Sequence, residues 1–96
     1  MAEMNTIKFD ANPYHNLLLK DRKYLEISGV KQIDHFDESE FLIESVQGWL
    51  EIGGSDLMLD KLDKDRGEVM IKGNIESISY INGKQNKESL ISRMFR

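Results

Sequence analysis

The chain has 96 residues, 40% hydrophobic and 31% charged, with one proline, no cysteine and a formal charge of −4. That is room for one domain with a core only just adequate, since about 60–65% of the unfolded surface is buried at this size. No disulfide or cysteine-based zinc site is there to staple it, so apolar packing must suffice, helped by self-association.

The absence of cysteine fits a reducing compartment. The start Met1-Ala2-Glu3-Met4-Asn5 lacks the basic-then-apolar pattern of a secretory signal. No apolar run approaches the roughly 20 residues that span a bilayer, so a soluble cytoplasmic domain is expected. Charge is unevenly placed: +1 over residues 1–24, −8 over 25–68 and +3 over 69–96. The acidic middle repels phosphate backbones, which argues against nucleic acid as a partner.

In chain order, residues 1–15 read as a flexible leader, because Asn5, Asp10, Asn12 and Pro13 interrupt every apolar pair. A β domain over 16–82 follows. Leu17–Lys20 and Tyr24–Ile27 flank the polar Asp21-Arg22-Lys23 and predict a first hairpin. Lys31–Phe36 and Phe41–Val46 flank Asp37-Glu38-Ser39-Glu40 and predict a second. Across 40–52 a helical period would put Glu44, Ser45 and Gly48 beside Phe41, so extended geometry wins. Leu57–Leu62 and Glu68–Lys72 flank a charged turn, Asp63-Lys64-Asp65-Arg66-Gly67.

Three stretches share the form apolar-x-Ile-x-Gly: Leu25–Gly29, Leu50–Gly54 and Val69–Gly73, at spacings of 25 and 19 residues. The spacing is too uneven for a solenoid and reads as a recurring strand–glycine–strand device. Gly53-Gly54-Ser55-Asp56 is accordingly expected to be a tight turn; it lacks the spacing of any phosphate-binding loop. In Ile75–Ile81 the alternation slips, with Ile75 and Ile81 on one side and Ile78 and Tyr80 on the other, which predicts a bulge or a strand buried on both faces.

Residues 83–96 differ. Leu90, Ile91, Met94 and Phe95 form one stripe of a helix, opposite Lys87, Ser89, Arg93 and Arg96, with Asn86 as N-cap. Such a short helix needs a surface to dock on: its own sheet, a partner protein or, at most peripherally, an acidic membrane.

Chemistry is scarce. His15 and His35 lie 20 residues apart, and the acidic neighbours Asp34, Asp37 and Glu38 alternate faces or fall in a turn, so no metal site is expected. The Asp63–Gly67 turn misses the ligand positions of a calcium loop, with Gly67 and Asn74 where ligands should stand. No catalytic residue and no cofactor is expected. Trp49, opposite in phase to Leu50 and Ile52, should face outward and mark a contact surface. The candidate interaction residues are Trp49, Leu90, Ile91, Arg93, Met94 and Phe95. A small-ligand or carbohydrate (peptidoglycan) binding module using exposed aromatics is the alternative.

The run Leu25-Glu26-Ile27-Ser28-Gly29-Val30, with Phe36-Asp37 and Glu40-Phe41 after it, resembles the YabP family of endospore-forming bacteria. The likeness continues through Gly54, Leu57–Asp63, Gly67–Tyr80 and Ser92–Arg96, covering nearly all of residues 14–96. The YqfC group is closely similar; the context of Lys31 and the Phe95-Arg96 ending favour YabP. Trp49 stands where the family would carry Phe. The resemblance implies a protein made in the mother cell during sporulation, associated with the spore coat or cortex, and it implies no catalytic residues.

Together these readings predict a small all-β domain, a sandwich or partly open barrel of about seven short strands, with a short C-terminal amphipathic helix. It should act through protein partners and self-assemble into a homo-oligomer, in the cytoplasm of the mother cell at the forespore surface.

Overall fold

The computed structural model describes residues 7–9 and 13–81. The C-terminal helix expected over 83–96, most of the leader, and the tail residues Leu90, Ile91, Arg93, Met94 and Phe95 lie outside the described residues.

The elements are β1 (Ile7–Lys8), β2 (Leu17–Lys20), β3 (Tyr24–Ile27), β4 (Val30–Phe36), β5 (Glu40–Ser45), β6 (Gly48–Asp63) and β7 (Glu68–Ile81). They form one open antiparallel sheet in the order β1-β4-β5-β6-β7-β3-β2. Six strands have four or more residues, and β1 is a two-residue bridge to β4. The all-β expectation holds, and no helix occurs among the described residues. The strands are not all short, however: β6 runs for 16 residues and β7 for 14. Among the described residues the fold is a single open sheet with β1 and β2 at its ends, not the two separate sheets of a sandwich.

Each hairpin follows from its turn. Asp21 and Arg22 take φ of 53° and 54°, and the Lys23 amide donates to the Lys20 carbonyl at 2.9 Å, a type I′ turn whose twist suits the flanking strands. Asp37 Oδ1 accepts from the Ser39 amide, the Ser39 hydroxyl and the Glu40 amide, at 2.8–3.0 Å, and so shapes the β4–β5 turn. Ser45, the buried polar residue of the core, donates its hydroxyl to the Gly48 carbonyl and accepts the Gln47 amide.

The expected turn at Gly53-Gly54-Ser55-Asp56 is instead the middle of β6. Bulges carry the long strands through a sharp bend here: the register with β7 shifts between Gly53 and Gly54, between Ser55 and Met58, and between Leu59 and Lys61. The extra residues restore the inward phase each time. Leu50, Ile52, Leu57, Leu59 and Leu62 of β6 therefore all reach the main core, as do Val69, Ile71, Ile75 and Ile78 of β7. The slipped alternation of Ile75–Ile81 is thus a bulge at Glu76, which turns Ile75 and Ile78 to the same side.

At the bend each long strand takes a second partner. Gly54 and Leu57 donate their amides to Ser39 and Glu38 of the β4–β5 turn, while Gly73 and Ile75 donate to Lys23 and Arg22 of the β2–β3 turn. The strands pass so closely that a Cβ at Gly54 would lie 1.9 Å from the Asn74 carbonyl oxygen, and one at Gly73 2.4 Å from that of Asp56. Folded this way, the sheet brings Leu25 and Ile27 of one half against Phe41, Ile43, Leu50 and Ile52 of the other, all essentially without solvent contact. Each such side chain contributes about 1.5–3 kcal/mol of transfer free energy.

Candidate interaction surfaces

Three polar or apolar groupings lie outside the core. The first is the edge strand β2. Among the described residues no strand pairs with its outer side, and Leu18 and Leu19 are 50% and 41% exposed. Lys20 is occupied by an ion pair with Glu26 at 3.8 Å. Tyr24 and Met58 continue the exposed apolar surface on the same half of the sheet. Leu18, Glu26 and Met70 also line a broad open groove with the tip of the β6–β7 hairpin. Inward periodicity marks Leu17 and Leu19 in the sequence, but only the strand order shows that β2 is terminal.

The second grouping is on the outer face of β5, β6 and β7. Here Leu42 and Ile81 form a small cluster apart from the core, with Trp49 half-buried against them. Glu44, Trp49 and Ile81 stand in one cross-strand row, and Leu42 pairs with Glu51 in the next. Trp49 therefore does face away from Leu50, as strand alternation requires, but it packs against apolar neighbours. Acidic side chains ring the cluster. Glu44 meets Lys31 at 3.6 Å and accepts from Gln32 at 3.0 Å.

The third is at the β4–β5 turn, where His35 Nε2 lies 3.6 Å from Asp37 Oδ2 and 3.4 Å from Glu40 Oε2. Backbone donation from Ser39 holds the Asp37 carboxyl below its usual range. Desolvation, reinforced by the charge of Asp37, raises that of Glu40. The sequence points to Asp34, Asp37 and Glu38 around His35; Glu40 joins instead because the hairpin returns it beside its cross-strand neighbours. The groups are exposed or half-exposed; a protonated His35 would pair with both carboxylates and brace the turn, and the three ligand atoms also lie close enough together to hold a metal ion.

The other histidine also has a structural place. His15 Nδ1 lies 2.8 Å from the Ser28 carbonyl and Nε2 2.6 Å from the Tyr80 hydroxyl. The Asp63 turn serves its own backbone: Oδ1 accepts the Arg66 amide at 3.1 Å. Among the described residues, no helix is long and apolar enough to cross a membrane.

What the geometry offers is contact surface, chiefly the exposed edge of β2, which is terminal among the described residues. The chain is also similar to a known protein. It is 38% identical over 84 residues to the spore protein YabP of Bacillus subtilis (strain 168), a match covering 85% of this chain and 84% of the relative. That relative is named as a spore protein, not as an enzyme. The model of the YabP family matches residues 11–87. The identity over nearly the whole domain and the family match together place the chain in the YabP family of sporulation proteins.

Proposed function

We propose that the protein is a non-enzymatic component of spore coat or cortex assembly, working through protein–protein contacts and pairing with a second copy of itself along β2. The observation that carries this reading is the β2 edge, terminal in the sheet among the described residues, with Leu18 and Leu19 exposed on it. An antiparallel pairing centred between Leu18 and Leu19 places each leucine opposite the other and Lys20 opposite Leu17, so no like charges meet. A small core gives the chain a further reason to share buried surface. The spore role of the relative supports a place in the mother-cell cytosol against the forespore. The carbohydrate-binding alternative is less favoured, because Trp49 is packed beside Leu42 and Ile81 rather than presented as an open stacking platform.

Light scattering on the purified chain tests the pairing. The wild type is expected to be a dimer at high micromolar concentration, and Leu18→Lys or Leu19→Lys to be monomeric with an unchanged fold. A wild type that stays monomeric throughout would remove the proposal.

A further inference from the structure

The outer face of the sheet holds a leucine that is drier than its surroundings explain. Leu42 is 1% exposed and Ile81 6%, yet Leu42 alternates with the core residues Phe41 and Ile43, and Trp49 alone joins their cluster among the described residues. Its neighbours along the strand and across it are Glu40, Glu44, Glu51 and His35. An uncovered antiparallel face of that composition stays wet, so burial of this degree calls for a cover.

We propose that the cover is the chain's own C-terminal segment, residues 84–96, folding back across β7, β6 and β5 to seat Leu90, Ile91, Met94 and Phe95 on Ile81, Trp49 and Leu42. Several features converge on this occupant. The chain leaves β7 at Ile81, inside the patch itself, and Asn82-Gly83 is a turn sequence. From β7 to β5 is two strand spacings, about 10 Å, while a helix over residues 86–96 is about 16 Å long. The stripe of apolar residues in the segment is matched to a patch of similar width.

Charge is complementary as well. The segment carries Lys84, Lys87, Arg93 and Arg96 against a single acid, Glu88, and the patch is rimmed by Glu40, Glu44 and Glu51. Glu44 already has Lys31 and Glu40 has His35, whereas Glu51 has no ion pair among the described residues. A helix this short is marginal in water. Docking on a preformed apolar row supplies what it lacks.

Trp49 is the chain's one tryptophan and lies within the seat, so its fluorescence reports occupancy. The full chain is compared with a chain ending at Gly83 and with full-length Leu90→Glu/Met94→Glu, whose changes lie outside the sheet. Both variants are expected to red-shift the emission and raise acrylamide quenching about two- to threefold, as a covered aromatic becomes an exposed one. Glu51→Lys should give a smaller change in the same direction. In the wild type the signal should not vary with protein concentration. Identical emission and quenching in wild type and double variant overturns the proposal, and so does a wild-type signal that changes with concentration, which would place a second copy on the seat. Should the shortened chain fail to fold, the double variant decides.

Discussion

His15 and Tyr80 stand 65 residues apart in the chain, yet the histidine Nε2 lies 2.6 Å from the tyrosine hydroxyl and the two rings meet edge-on at 5.7 Å. The Ser28 carbonyl, 2.8 Å from Nδ1, can only accept, which assigns the proton of the neutral ring to Nδ1 and leaves Nε2 to accept from Tyr80. The segment before β2 is thereby fastened to the bend before β4 and to the end of β7. Its backbone also passes so close to Gly29 that a Cβ there would lie 2.8 Å from the His15 Cα.

Tyr80→Phe should therefore cost about 0.5–1.5 kcal/mol, the net worth of one such bond. A double-mutant cycle with His15→Ala, read by chemical denaturation, should show coupling of about 0.5–1 kcal/mol. Strict additivity of the two single variants would mean that the contact does not hold in solution.

Glycine substitutions should separate by cause. Gly54→Ala and Gly73→Ala put a methyl group into a neighbouring strand's backbone and are expected to cost more than about 3 kcal/mol each. Gly48 has φ of 120° but nothing within 4 Å of the added Cβ, so Gly48→Ala should cost only about 1–2 kcal/mol of backbone strain. Equal melting temperatures for the three variants would contradict the close crossing at the bend.

The β4–β5 turn makes opposite predictions for its two carboxylates. Asp37 is held below its unfolded value of 3.8 by donors from Ser39 and Glu40. Its contribution is complete above that pH and is lost as the pH falls through the lower folded value. Asp37→Ala should thus cost about 1 kcal/mol near neutral pH and progressively less in acid. Glu40 is raised above 4.5 by desolvation and by Asp37, so its charged form is disfavoured in the fold and stability falls as the pH rises through its folded value. Glu40→Gln should accordingly be neutral or slightly stabilising at neutral pH. Denaturation midpoints measured from acid to neutral pH check both signs.

The type I′ turn gives a paired test. Asp21→Gly relieves the positive φ and should stabilise by up to about 1 kcal/mol. Arg22→Gly relieves the same strain but removes the Arg22 Nε donation to the Ile75 carbonyl at 3.1 Å, worth about 1 kcal/mol. The second substitution should therefore gain nothing, and a thermal melt distinguishes them.

Much of this fold was legible in residue order. The hairpins across Asp21–Lys23, Asp37–Ser39 and Asp63–Gly67 announce themselves by polar turns between apolar alternations. Gly53-Gly54 misleads because glycine marks both a turn and a close approach of backbones; only the Asn74 carbonyl beside Gly54 decides between them. The Val46-Gln47 turn carries no turn residue of its own and depends on Ser45 Oγ. Of the candidate surfaces, the outward phase of Trp49 could be read from alternation. The burial of Leu42 could not, since adjacent apolar residues such as Leu42 and Ile43 do not reveal that they serve different layers. The exposure of Leu18 likewise follows from strand order, which is a long-range property.

The paired β6 and β7 run through both halves of the molecule, and this sets how it can come apart. β3 completes its hydrogen bonds on β7 and β5 on β6, so neither half is an independent foldon with a hinge between them. Opening must begin at the margins, at β1 and at the β2–β3 hairpin, and reach the β6–β7 ladder last. Amide hydrogen exchange should accordingly find the slowest protons at Leu50, Ile52 and Ile71, with β2 exchanging far sooner. Faster exchange at the bend than at β2 would reverse that order.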